Sequence, residues 1–139
     1  MYRRLLVPSD LTDHTIAALE AAASIATASD ARITVLHVIE TIAGADFEEL
    51  SSFYRGLEQK AVSRLGDIIA RTAGVRIQVD TVIAYGKRVE EVLRFIRAND
   101  VDLVVLASHR IDPAEPYAGL GTMSYKLGTL SPCAVLLVK

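Results

Sequence analysis

Short β-branched runs alternate strictly with longer segments of helical period along this chain, and that alternation limits the possible folds more than any other feature. The runs read "RRLLVPS", "ARITVLHVI", "VRIQVDTVI", "VDLVVLAS" and "CAVLLVK". Each is almost continuously apolar, as strands covered on both faces are. A chain that alternates such strands with helices lays the strands parallel, with helices above and below. The pattern predicts an α/β fold: a single doubly wound five-stranded parallel sheet with helices on both faces, Rossmann-like in outline. At 139 residues the expectation is one domain, 1–139, with roughly 70% of the unfolded chain's surface hidden on folding.

The helices follow from apolar spacing. Ile16, Leu19, Ala23 and Ala26 recur at steps of three and four and form one stripe, with Thr12 as the expected N-cap. Leu50, Tyr54, Leu57, Ala61, Leu65 and Ile68 share a face of a second, longer helix that ends before Gly74. Gly86 opens a third, in which Val89, Val92, Leu93 and Ile96 face inward, while Lys87, Arg88, Glu90, Glu91 and Arg94 read as its solvated side. A fourth begins near Gly121, carries Met123, Leu127 and Leu130 on one face, and stops before Pro132.

Composition narrows the function classes. A chain that is 51% hydrophobic and 23% charged is too apolar for a disordered one. Its net charge of -2 and scattered basic residues argue against a nucleic-acid partner, which calls for Lys and Arg clustered on one face. The single Cys133 excludes an intramolecular disulfide and reads as a small core thiol. In the opening "MYRRLLVPSD" the apolar run stops at Pro8, too short for a signal-peptide core or a membrane span. A cytoplasmic protein with no membrane insertion is expected.

In doubly wound sheets ligands lie beyond the carboxyl ends of strands, where the winding reverses. If the first strand lies beside the fourth, that crevice is floored by Pro8, Ser9 and Asp10 on one side and Ala107, Ser108, His109 and Arg110 on the other. The segment that follows, with Pro113, Pro116 and Gly119, delivers Gly121 and Thr122 to the start of a helix. The first amides of a helix have no internal partners and sit at the positive end of its dipole, which suits an anion. Two readings stand for this pair. Gly121 admits a phosphate and Thr122 donates to it, or Gly121 makes a tight turn and Thr122 caps the helix.

Other chemistries fit less well. There is no G-x-x-x-x-G-K-[ST], and "GLGTMS" lacks the third glycine and the downstream acid of a dinucleotide site. Ser108, His109 and Asp112 are neighbours on a loop without a nucleophile elbow, a weak basis for a triad. His37 reads as a satisfied core histidine and His14 as solvent-facing, so the histidines and Cys133 suggest no metal site. Tyr117 and Tyr125 read as aromatic packing.

The stretches "RRLLVPSDLTDHTIAALEAA", "LHVIE", "YGKRVEEVLRFI", "VDLVVLASHR" and "LGTMSYKLGTLSPCAVLLVK" together resemble the universal stress proteins of the UspA superfamily over almost the whole chain. Nucleotide-binding members carry G-x2-G-x9-G-[ST] after the fourth strand. The resemblance sets Ala107 at the first glycine, Arg110 at the second and Gly121-Thr122 at the final pair, with one extra residue between. It also sets Asp10 and Val38 on the adenine and ribose side, and Met123, next to Thr122, is counted with the nucleotide-binding residues. It implies a regulatory module that binds ATP, or ADP or AMP, with Mg²⁺ entering only alongside nucleotide. Arg110 would replace lost backbone contacts with a charge-assisted bond to phosphate. The resemblance further implies a homodimer through the C-terminal strand and an unidentified protein partner. The alternatives are a dimeric scaffold without nucleotide, or a slow adenine-nucleotide hydrolase for which Asp10 and Asp112 are the nearby acids.

Overall fold

The structure is a computed structural model describing residues 1–72, 78–108, 112–115 and 122–139. Nine elements follow one another among these residues: β1 (Arg4–Pro8), α1 (His14–Ser29), β2 (Arg32–Glu40), α2 (Ser51–Arg71), β3 (Val79–Gly86), α3 (Arg88–Ala98), β4 (Leu103–Ala107), α4 (Met123–Leu130) and β5 (Ala134–Val138). The five strands form one parallel sheet in the order β3-β2-β1-β4-β5. β1 is therefore central, and the winding reverses between β1 and β4, the arrangement on which the expected crevice depends.

Alternation along the strands divides the core into two layers. Leu5 and Val7 of β1, Ile33 and Val35 of β2, and Leu103 and Val105 of β4 join Ala18, Leu19, Ala22, Ala23 and Ala26 of α1 and Leu65 of α2 on one face. Leu6, Leu36, Val38, Val104 and Leu106 point the other way, onto Val92, Leu93 and Ile96 of α3 and Leu127 of α4. The alanines of α1 bury a nearly featureless side, so that helix lies close on the sheet.

Several expectations need correction at the margins. β5 is apolar in sequence, yet Ala134, Leu136 and Leu137 are exposed, and β3 is mostly half-buried. An outer strand has a neighbour on one side only, and apolar composition does not show which strand is outermost. Leu50, the N-cap of α2, and Leu57 within it are half-buried, whereas Tyr54, Ala61, Leu65 and Ile68 are buried. Thr12 does not cap α1. The N-cap is Asp13, without a side-chain capping bond, and Thr12 bonds back to Asp10 instead. The expected stop at Gly74 lies outside the described residues, and α2 ends at Arg71 with Thr72 as its C-cap. Cys133 is half-buried against the second layer, 3.4 Å from Ser131 Oγ.

Candidate functional site

β1 ends in Pro8, the register pairs it with Leu36 of β2, and Ser9 continues the interaction by donating its amide to the Leu36 carbonyl at 2.9 Å. Ser9 is buried. Its hydroxyl meets that of Thr15 at 2.8 Å and accepts from the Leu11 amide at 3.1 Å. His37 donates from Nδ1 to the Ser9 carbonyl oxygen at 2.8 Å. A carbonyl can only accept, so the bond requires a proton on Nδ1. His37 is thus the satisfied histidine the sequence suggested, and its role is to hold the end of β1.

Asp10, the next residue, is exposed and stands at a crevice of about 380 Å³ lined by Pro8, Asp10, His14, Thr15, Arg88, Leu106, Ala107, Thr122, Met123 and Ser124. Its Oδ1 accepts from the Thr12 hydroxyl at 2.6 Å and the Thr12 amide at 3.0 Å. Partial desolvation pulls the carboxyl upward, but the two Thr12 bonds, its own amide and nearby His14 outweigh it and leave the group below its ordinary 3.8. Asp10 is therefore a charged acceptor at neutral pH, suited to hydroxyl or amino donors.

A second wall is the start of α4. Thr122 is its N-cap, with extended backbone and a hydroxyl that accepts from the Tyr125 amide at 3.4 Å. Met123 and Ser124 follow, both half-buried and both on the crevice wall. The capping reading of Thr122 is thus observed, and it places a helix N-terminus at the crevice, where the positive end of the dipole favours an anion.

Five residues named from the sequence converge here: Pro8, Asp10, Ala107, Thr122 and Met123. Three others lie close by without lining the crevice. Ser9 is engaged in the core contacts above. Val38 is buried in the second layer. Ser108 donates its amide to the Val138 carbonyl at 2.8 Å and lies 3.5 Å from Lys139 Nζ, which ties it to β5. His109, Arg110 and Gly121 lie outside the described residues. Asp112 accepts from the Ala114 amide at 2.9 Å in a local turn. Tyr125 is half-exposed and does not line the crevice. Among the described residues no group of His, Cys, Asp and Glu is arranged to hold a metal ion, and no helix is long and apolar enough to cross a membrane.

Two lining residues were assigned elsewhere by sequence reasoning. His14 is exposed, as expected, but it lies on the crevice. Arg88 is exposed on α3, as expected, and it also lines the crevice, with its Nε 3.8 Å from Glu40 Oε1. The hint available in the sequence was its place one residue into a helix that directly follows a strand's carboxyl end. Glu91 departs from the expected solvated side of α3: its side chain is only 13% exposed and accepts from Arg94 at 2.8 Å.

Comparison with known proteins agrees with this architecture. The profile described as the universal stress protein family matches residues 1–139. A universal stress protein of Thermus aquaticus, encoded in the 3' region of a QAH/OAS sulfhydrylase, is 30% identical over 142 residues, covering 100% of both chains. A universal stress protein solved in complex with cAMP superposes with TM-score 0.76 at 18% identity, over 99% of this chain and 97% of that one. The universal stress protein from Archaeoglobus fulgidus in complex with dAMP does so with TM-score 0.72 at 13% identity, over 99% and 98%. With a five-stranded parallel sheet of this order and a family match along its full length, the chain belongs to the universal stress protein family.

Proposed function

We propose that this chain is a cytoplasmic regulatory module that binds an adenine nucleotide, ATP or the shorter ADP or AMP, in the crevice between β1 and β4. The observation that carries the reading is the convergence of an ionised carboxylate, Asp10, and a helix N-terminus, Thr122–Ser124, on two walls of one crevice. A nucleotide has donors at its ribose and base and negative charge at its phosphates, so the two walls match its two ends. That two proteins of the same fold were solved with cAMP and dAMP supports the ligand class. Arg88 adds a cation on the same crevice, and its exposed, 3.8 Å pairing with Glu40 is weak enough to give way to a phosphate.

The finer assignments rest on the sequence: Arg110 and Gly121 complete the phosphate cradle, Val38 and Ser9 back the base and ribose side, and Ser108 and His109 extend the β4 wall. Mg²⁺ would enter bound to the nucleotide's phosphates. The output of such a module is association, through a homodimer joined at β5 and through a protein partner that responds to the bound state. The exposed Leu136 and Leu137 on an outer strand support the dimer, since an open apolar edge is a ready template for a second copy.

Denaturing freshly purified protein and analysing what is released tests the reading directly, with titration calorimetry of ATP, ADP, AMP and adenosine on stripped protein. Co-purifying adenine nucleotide, or saturable binding, is expected. No release and no binding at millimolar nucleotide would replace this reading with that of a nucleotide-free scaffold.

A further inference from the structure

The turn from β1 into α1 contains a backbone conformation that its own residue does not favour. Leu11 has φ 66, the left-handed region, which a bulky branched side chain adopts only when its surroundings impose it. Its amide donates to Ser9 Oγ at 3.1 Å. Its carbonyl accepts from Arg64 Nε of α2 at 2.9 Å. The same guanidinium reaches Asp13 Oδ1 through Nη2 at 2.7 Å and Asp67 Oδ2 through Nη1 at 3.0 Å. All three of its nitrogens are engaged, so the planar fork fixes both the carbonyl of Leu11 and the carboxylate of Asp13, the residue at which α1 begins.

Asp10 lies between Ser9, which is tied to the core by Leu36, Thr15 and His37, and Leu11, which is tied to α2 by Arg64. We propose that Arg64 is a positioning residue for the crevice: by holding Leu11 in its left-handed turn it sets where Asp10 stands. Arg64 is not among the crevice-lining residues, so it acts through the turn alone. This inference rests on the nucleotide-binding reading for its consequence, and on geometry for the clamp itself. Arg71 provides an internal control. It also bonds Asp13, at 3.0 Å, and Asp67, at 3.4 Å, yet none of the contacts described for it involves Leu11.

Two measurements on the full chain decide it, amide hydrogen exchange without ligand and calorimetry with AMP and adenosine. Arg64→Ala is expected to speed exchange at Leu11 and Thr12 while the sheet stays protected, and to weaken AMP and adenosine by the same factor of about ten, the scale of one charged hydrogen bond. Arg64→Lys keeps the charge without the fork and should behave like Arg64→Ala. Arg71→Ala should leave both readouts unchanged. Leu11→Gly added to Arg64→Ala should recover affinity, because glycine takes the left-handed turn without strain. Unchanged exchange in Arg64→Ala overturns the clamp. Faster exchange with undiminished affinity, or an equal loss in Arg71→Ala, overturns the positioning role. If the unmodified protein binds neither AMP nor adenosine while exchange still responds to Arg64→Ala, the nucleotide reading fails and the positioning role with it, leaving a structural clamp only.

Discussion

Asp10 and Arg88 face one crevice with opposite charge, and each predicts a different pattern of loss. Asp10 accepts hydrogen bonds and repels phosphate, so the proposed nucleotide reading puts it with ribose and base. Asp10→Ala should weaken ATP and adenosine alike in calorimetry. Arg88 can add only to the phosphate end, so Arg88→Gln should weaken ATP by roughly 1 kcal/mol, about fivefold, with adenosine unaffected; the modest size reflects an exposed group screened by water. A titration prediction belongs at this scale as well. Asp13 is held below its ordinary 3.8 by hydrogen bonds from Arg71 and Arg64, and Asp10 lies below the same value despite its partial desolvation. A carboxylate with a depressed folded-state value stabilises the fold fully above the unfolded value and loses that contribution as pH falls through the folded one. Stability should therefore drop as pH falls below 3.8, and Asp13→Asn should flatten that drop in denaturant titrations across the acid range.

β3 ends on Gly86, which turns the chain toward α3 and whose φ of 142 is open to glycine. A Cβ there would lie 2.9 Å from Glu91 Cγ and 2.7 Å from Glu91 Oε1. Gly86→Ala thus meets both an unfavoured backbone and a half-buried side chain already bonded to Arg94. A loss of about 1–3 kcal/mol is expected by chemical denaturation. Arg88 starts the helix that this turn launches, so ATP affinity should fall in the same variant. At the other end of the crevice Thr122→Ala removes the cap of α4, at a cost of about 1 kcal/mol. Both termini matter for the same reason: the crevice is built where elements begin and end, and a small error in a turn displaces every side chain beyond it.

For the molecule as a whole, the order β3-β2-β1-β4-β5 leaves β5 at an edge with Leu136 and Leu137 exposed. Leu137→Glu places a charge on that edge and spares the half-buried Val135 and Val138, which pack on the two core layers. Light scattering should show a dimer for the unmodified chain and a monomer for the variant. An unmodified chain that is monomeric at micromolar concentration would remove the edge-strand assembly.

The class of fold was legible in the sequence by itself, because strand and helix periods are local and apolar runs such as Val104–Leu106 mark strands wherever they sit in a sheet. Asp10, Ala107 and Thr122 could also be named in advance, since they stand at element ends, where backbone groups and polar side chains meet a ligand in this class of fold. Tertiary structure alone decided the rest. That β1 lies beside β4, that β5 is an edge, that Arg88 lines the crevice, and that Arg64 grips Leu11 from more than fifty residues away are contacts between distant segments. A period of two or of 3.6 shows which side of an element is apolar, but not which neighbour its polar side meets, because that partner is chosen by how the layers stack.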